Sequence, residues 1–401
     1  MTARPPRQPH PSRRRQAVGA ALAALVLTGA AAPHATAAEG VDLPPIATAV
    51  APDKPCTAES ATVVKAVPWA QQALNLAHVW QLGQGAGVTV AVVGTGVSTS
   101  APALAGRVTA LGDAGSDCAG HGTFLAGLVA ARPAIGQGLS GIAPQARILA
   151  VRGTGVRGEP DAGRLAAAVT EAADAGAKVI VVGTFVAADT PALRAAVAHA
   201  LEKDAVVVAT AAPEHQAGAS GDAPVRVYPA ALPGVISVVD SAPGGERPQN
   251  APVAEHADLS APGDGMVGIG PKGDGHWTAS GSAEAAAVVA GGAAVVRAYH
   301  PELTGPQVRA RLLATAYPGA QPALDLYAAV SATEPPGAGT GTAAPAGTLR
   351  VPAATVDTGA GRTALLVAGG AGAVLLTALL LMAVVPRGRA RRWRPGGSGG
   401  Q

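Results

Sequence analysis

The chain has 401 residues, 48% of them apolar and 14% charged, enough for one large or two modest domains and too apolar for a disordered chain. Aromatic residues make up only 2%, which excludes an aromatic stacking platform for nucleic acid and leaves a core of Ala, Val and Leu. Residues 1–16 and 386–401 hold ten arginines and no acid; against a formal total of +3 they leave a net −7 on the rest, so the basic balance belongs to two short ends and not to a nucleic-acid surface.

Arg13, Arg14 and Arg15 precede an apolar run from Ala17 to Ala32, and Ala35-Thr-Ala37 supplies an A-x-A cleavage pattern. This predicts a secretory signal peptide over 1–37; the alternative is an uncleaved anchor, for which the run is short. The chain beyond residue 37 is then expected outside the cytoplasm. Cys56 and Cys118, the two cysteines of the chain, are expected to form a disulfide there, closing a loop of about 62 residues; two free thiols are the alternative, and two unclustered cysteines support no metal site. No cofactor is expected.

From Val88 onward short apolar runs alternate with helical spacing. Val88–Val93 runs into Gly94-Thr95-Gly96, and Ile148–Arg152 is a second run. Arg164–Ala175 has helical periodicity and leads through Gly176 into Lys178–Val182; Pro191–Lys203 leads likewise into Ala205–Ala209, and Val235–Val239 follows a Pro-Gly turn. The alternation predicts an α/β fold with a mostly parallel, buried central sheet covered on both faces. Such a sheet places its functional loops beyond the carboxyl ends of its strands, here at Gly94, near Ala212 and around residues 276–284.

Residues 333–362 are rich in Pro, Gly, Ala and Thr without hydrophobic period and predict a linker. Thr363–Val385 carries no charge; at about 1.5 Å per residue it reaches roughly 34 Å, enough for a hydrocarbon core of about 30 Å. Pro386 ends the run, and Arg387, Arg389, Arg391, Arg392 and Arg394 follow. The segment is predicted to be one transmembrane helix over 363–385 with a basic cytoplasmic tail over 386–401, because positive residues stay inside. A buried core helix, the alternative, leaves the basic stop without a reason.

The most specific string in the chain is Asp117-Cys-Ala-Gly-His-Gly-Thr123. With Ser140-Gly-Ile-Ala-Pro-Gln-Ala-Arg-Ile-Leu-Ala-Val-Arg152, Tyr228-Pro-Ala-Ala-Leu-Pro-Gly-Val-Ile-Ser237 and Leu259-Ser-Ala-Pro-Gly263, it resembles the subtilisin-like (S8) serine proteases. It is most similar to their mycosin branch, the membrane-anchored proteases of actinobacterial type VII secretion. Pro68-Trp69-Ala70, a cysteine just before the His and an apolar C-terminal segment with a basic tail belong to that likeness, which spans about residues 40–395. It implies a three-layer subtilisin-like domain over 68–332 preceded by an N-terminal extension over 38–67.

The likeness also says where the chemistry should sit, and there the chain departs from the pattern. His121 matches the general base. Gly94, in Val90-Ala-Val-Val-Gly-Thr-Gly-Val97, stands where the family has the Asp that orients and stabilises the imidazolium. Ala212-Pro213 replaces the stretch carrying the oxyanion Asn, and Pro213 offers no donor, not even a backbone N–H. In Gly281-Ser-Ala-Glu-Ala-Ala-Ala287 the downstream match puts Ala283 at the nucleophile. Ser282 falls one residue early, turned by about 100° on a helix, and Glu284 replaces a Phe. Val181-Val182-Gly183-Thr184 departs from the substrate-binding strand. Asp117 is expected to serve its own loop, not to stand in for the missing carboxylate. The expectation is a membrane-tethered pseudoprotease whose partners are type VII secretion membrane components or a peptide or protein ligand. The rivals are an active serine endopeptidase using Ser280 or Ser282 with His121, or another chemistry, for which the cleft shows no cluster of carboxylates, cysteines or metal-spaced histidines.

Overall fold

The computed structural model describes residues 41–214, 223–333 and 358–390. The expected signal peptide, most of the linker and the end of the tail lie outside these residues. The chain divides into two units, 1–339 and 340–401.

Seven parallel strands form the sheet of the first unit: β1 (Thr89–Gly94), β2 (Val108–Ala110), β3 (Arg147–Arg152), β4 (Val179–Val182), β5 (Val206–Thr210), β6 (Ile236–Ser241) and β7 (Leu259–Pro262), in the order β2-β3-β1-β4-β5-β6-β7. Strands β8 (Met266–Ile269) and β9 (His276–Ala279) make a separate antiparallel pair. The helices of this unit are α1 (Trp69–Ala73), α2 (Leu76–Leu82), α3 (His121–Ala130), α4 (Ala162–Asp174), α5 (Pro191–Glu202), α6 (Ser282–Tyr299), α7 (Gly305–Ala314) and α8 (Leu326–Ser331).

The strand runs are apolar throughout because both faces of the sheet are covered. Successive side chains alternate between faces. Val90 and Val92 of β1, Val179 and Val181 of β4 and Val206 and Val208 of β5 join one core cluster with α3 and α6. Their neighbours Ala91, Val93, Ile180, Val182, Val207 and Ala209 join a second cluster with α4 and α5. The result is the expected three layers. Helices α4 and α5 begin where Asp161 and Thr190 accept the backbone N–H of Arg164 and Leu193, and α7 begins with a Thr304–Gln307 capping box. Helix α6 is buried all round from Ser282 to Arg297, which its Ala, Val and Gly side chains permit.

The strands and helices expected between residues 88 and 239 agree with the observed ones to within two residues at their ends. Sequence periodicity did not reveal β2, β8 or β9, which are short and, in β2 and β9, only partly buried. Residues 44–64, by contrast, are strapped to the domain by backbone pairing. Ile46 N–H donates to Thr278 O at 2.9 Å and Thr278 N–H to Pro44 O at 3.0 Å, while Val50 N–H donates to Arg157 O at 2.8 Å. The Cys56–Cys118 disulfide is formed. Beyond it, Thr57 donates to Cys118 O through its N–H and to Ala119 O through its hydroxyl. Val64 N–H donates to His276 Nδ1 at 2.8 Å; burial pushes that imidazole's pKa down despite Asp274, which suits a ring nitrogen that must accept.

The second unit contains α9 (Thr358–Ala390). Within it Gly370–Gly388 is apolar and long enough to cross a bilayer, with Leu375, Leu376, Leu379, Leu380 and Met382 exposed. Pro386 ends the uncharged run but not the helix, which continues through it. A proline removes one helical donor; the Arg387 guanidinium donates to Ala383 O at 3.1 Å.

Candidate functional site

Helices α3 and α6 bring their N-termini together beyond the carboxyl ends of the strands. At the start of α3, Gly120 takes φ +90, a left-handed conformation that suits glycine. Asp117 closes this end: Oδ1 accepts Gly120 N–H at 2.8 Å, and Oδ2 accepts the N–H and hydroxyl of Thr123 at 2.8 and 2.7 Å. All its hydrogen bonds are local, as expected, and none reaches the imidazole. Gly122 donates to Thr95 Oγ1 at 2.8 Å, and a Cβ there would fall 2.0 Å from the carbonyl oxygen of Gly96. The His-Gly-Thr string is therefore a packing requirement as well as a motif.

His121 lies 2% exposed at this end. Gly94 ends β1, and a Cβ placed on it meets nothing within 4 Å. Ala283 is fully buried in the first turn of α6. Ser282 donates its hydroxyl to Asp240 Oδ1 at 3.0 Å, in the direction of β6. Among the described residues, the group that meets His121 is Glu284, with Oε1 3.0 Å from Nε2. Ser280 lines the cleft but accepts Gly265 N–H at 2.8 Å. Pro213 is half-buried after β5 and hands the chain to Glu214.

Glu214 completes a cluster the sequence did not announce. One ligand-type atom each from His121, Glu214 and Glu284 lie within 4.8 Å of one another. Burial pushes the Glu214 carboxyl well above the usual carboxylate range; the charges of Glu284 and Asp240 and a hydrogen bond to Glu284 push the same way, against the Ala283 amide. Glu214 thus keeps its proton to higher pH than an ordinary carboxyl. The expectation that no carboxylate cluster lies in the cleft is corrected here: acids far apart in sequence converge because α6 and the end of β5 meet. Glu284 carried a signal, an acid opening a helix without a polar partner nearby in sequence, whereas nothing local marked Glu214.

These three residues line a groove of about 440 Å³. Pro45, Ile46, Ala47, Thr48 and Ala49 form one wall, and Thr278, Ala279 and Ser280 belong to the lining too. The N-terminal segment bridges Thr278 through Pro45 and Gly120 through Ala47, both in parallel sense. It is therefore part of the site.

The Subtilase family profile matches residues 85–348. Mycosin-4 of Mycobacterium tuberculosis is 34% identical over 394 residues, covering 86% of each chain. The chain belongs to the subtilase family, in its mycosin branch. Solved mycosin structures share its fold. The MycP3 protease from the type VII (ESX-3) secretion system superposes with a TM-score of 0.59 at 31% identity, covering 74% of this chain and 100% of that one. A chain of an intact ESX-5 inner membrane complex does so with a TM-score of 0.60 at 28% identity, covering 86% and 100%. This mycosin homologue combines the family fold with a His–Glu–Glu cluster at the carboxyl edge of the sheet.

Proposed function

We propose that this mycosin homologue is proteolytically inactive and serves as a scaffolding subunit of a type VII secretion membrane assembly. It is held by α9 in the cell membrane, with its large domain outside the cytoplasm and its basic tail inside. The observation that carries the reading is the partner of His121, a carboxylate and not a hydroxyl. A serine protease needs an oxygen nucleophile on that ring, a carboxylate behind it and a donor for the oxyanion. By the family pattern, Ala283 and Gly94 leave the first two unfilled and Pro213 the third. In subtilisin, loss of the serine or the histidine lowers kcat by about 10⁶-fold.

Scaffolding fits better than capture of a peptide on β9. Residues 44–46 already pair with Thr278, so a strand could be added there only by displacing the N-terminal segment. The presence of a homologue in an ESX-5 inner membrane complex supports the choice of partner. A fluorophosphonate probe tests the first half: the full chain in detergent is expected to stay unlabelled, and labelling that disappears in Ser282→Ala and His121→Ala would overturn inactivity. For the second half, affinity capture from solubilised membranes is expected to bring down type VII membrane components. Capture without any of them sinks the scaffold.

A further inference from the structure

The polar groups at the mouth of α6 are poorly matched to one another as they stand. Glu284 is fully buried, and its Oε1 meets His121 Nε2 at 3.0 Å. Among the described residues, its buried Oε2 has no hydrogen-bond partner. A buried carboxylate oxygen without a donor is a costly arrangement unless something positive fills the gap. His121, Glu214 and Glu284 offer one nitrogen and two carboxylates within a 4.8 Å cluster, and the groove of about 440 Å³ opens onto them.

We propose that His121, Glu214 and Glu284 form a binding site for one divalent transition-metal ion of the zinc class, with a fourth position open to the groove. Zinc accepts imidazole and carboxylate ligands at about 2.0–2.2 Å, which sets neighbouring ligand atoms of a tetrahedron roughly 3.4 Å apart. The His121–Glu284 pair is already near that spacing at 3.0 Å, so rotation of the half-buried Glu214 side chain is the main adjustment. The imidazole disfavours Mg²⁺ and Ca²⁺, which prefer sites made of oxygen alone. Two carboxylates neutralise a dication, so the buried site carries no net charge once filled. The incoming ion gives the buried Glu284 Oε2 the positive partner it lacks. The bound ion ties the start of α3, the start of α6 and the segment after β5 to one point beside the N-terminal wall. The site does not depend on the chain's role in secretion, and it holds whether or not the protein has peptidase activity.

The test uses the full chain in detergent micelles, stripped with a chelator and titrated with Co²⁺ under visible absorption, then with Zn²⁺. One equivalent of Co²⁺ is expected to produce the d–d bands of a four- or five-coordinate site, and one equivalent of Zn²⁺ to abolish them. Glu284→Gln and Glu214→Gln, which keep size and shape, are each expected to lose the bands while matching the parent chain in far-UV circular dichroism. The surface pair His199–Asp174, 2.7 Å apart, is untouched by both changes, so a signal arising there would persist. Absence of saturable binding at one equivalent, or bands of undiminished strength in both variants, overturns the site.

Discussion

Two helix starts face each other across the groove, and they solve the same physical problem in opposite ways. Each leaves backbone donors without helical partners and favours a negative charge. At α3 the charge is Asp117, and its oxygens are filled by Gly120 and Thr123. At α6 it is Glu284, which turns across the groove to His121 and leaves Oε2 without a hydrogen-bond partner among the described residues. The first end keeps the family's string and satisfies its polar atoms locally. The second leaves a buried carboxylate oxygen, Glu284 Oε2, without a hydrogen-bond partner among the described residues. Changes at the first end are therefore expected to cost the fold more than changes at the second.

The largest test of that contrast is the covalent tie beside α3. Cys118→Ser frees a loop of 62 residues and is expected to lower stability by about 4 kcal/mol on the chain-entropy account. Limited proteolysis should then cut within residues 44–64 before the domain unfolds. Asp117→Ala comes next. It removes a buried acceptor of three hydrogen bonds, and the expected loss is about 3 kcal/mol by urea unfolding. A loss below about 1 kcal/mol would mean that the α3 end is held by its glycine geometry and the disulfide alone.

Glu284→Gln decides whether the two ends differ in kind. Glutamine keeps the volume, keeps a hydrogen bond to His121 and removes a buried charge. In chelator-treated protein the change in stability is therefore expected to stay within about 1 kcal/mol. A loss as large as that of Asp117→Ala would show Glu284 to be a structural ion pair, and the asymmetry between the helix starts would vanish.

Much of the first end was legible in the sequence. Apolar strand runs, helical spacing and the Asp117-to-Thr123 string report local requirements: burial on two faces, one face of a helix, a close approach at Gly122. The Cys56–Cys118 pair was legible from compartment and count. At the second end the sequence carries only expected departures from the family pattern, at Gly94, Pro213 and Ala283. The residues that fill the space were not legible, because the Glu214–Glu284–His121 meeting is set by how α6 lies on the sheet and not by any spacing along the chain. The same holds for the N-terminal wall: Pro45–Ala49 carry no hydrophobic period, and their place is fixed by backbone pairing with β9.

A third helix start offers the smallest and most discriminating measurement. Asp204, in the turn between α5 and β5, takes φ +67 and accepts the N–H of Gly305, the first residue of α7, at 2.5 Å; it also pairs with Arg297 at the end of α6. Burial works to raise its carboxyl, but the Gly305 amide, Arg297 and Lys178 outweigh it and hold the group below the usual carboxylate range. A depressed folded-state pKa contributes stability that is complete above the unfolded value and is lost as pH falls through the folded one. Asp204→Asn keeps a side chain that tolerates the left-handed backbone. It is expected to reduce stability at pH 7 by less than about 1 kcal/mol, since the group is partly exposed and solvent screens it. The difference from the parent chain should shrink as pH drops from about 5 toward about 3, read from urea midpoints. A difference that stays constant across that range would assign the role of Asp204 to backbone geometry alone, and charge at a helix start would then matter in this protein only where, as at Glu284, the surroundings leave it unmatched.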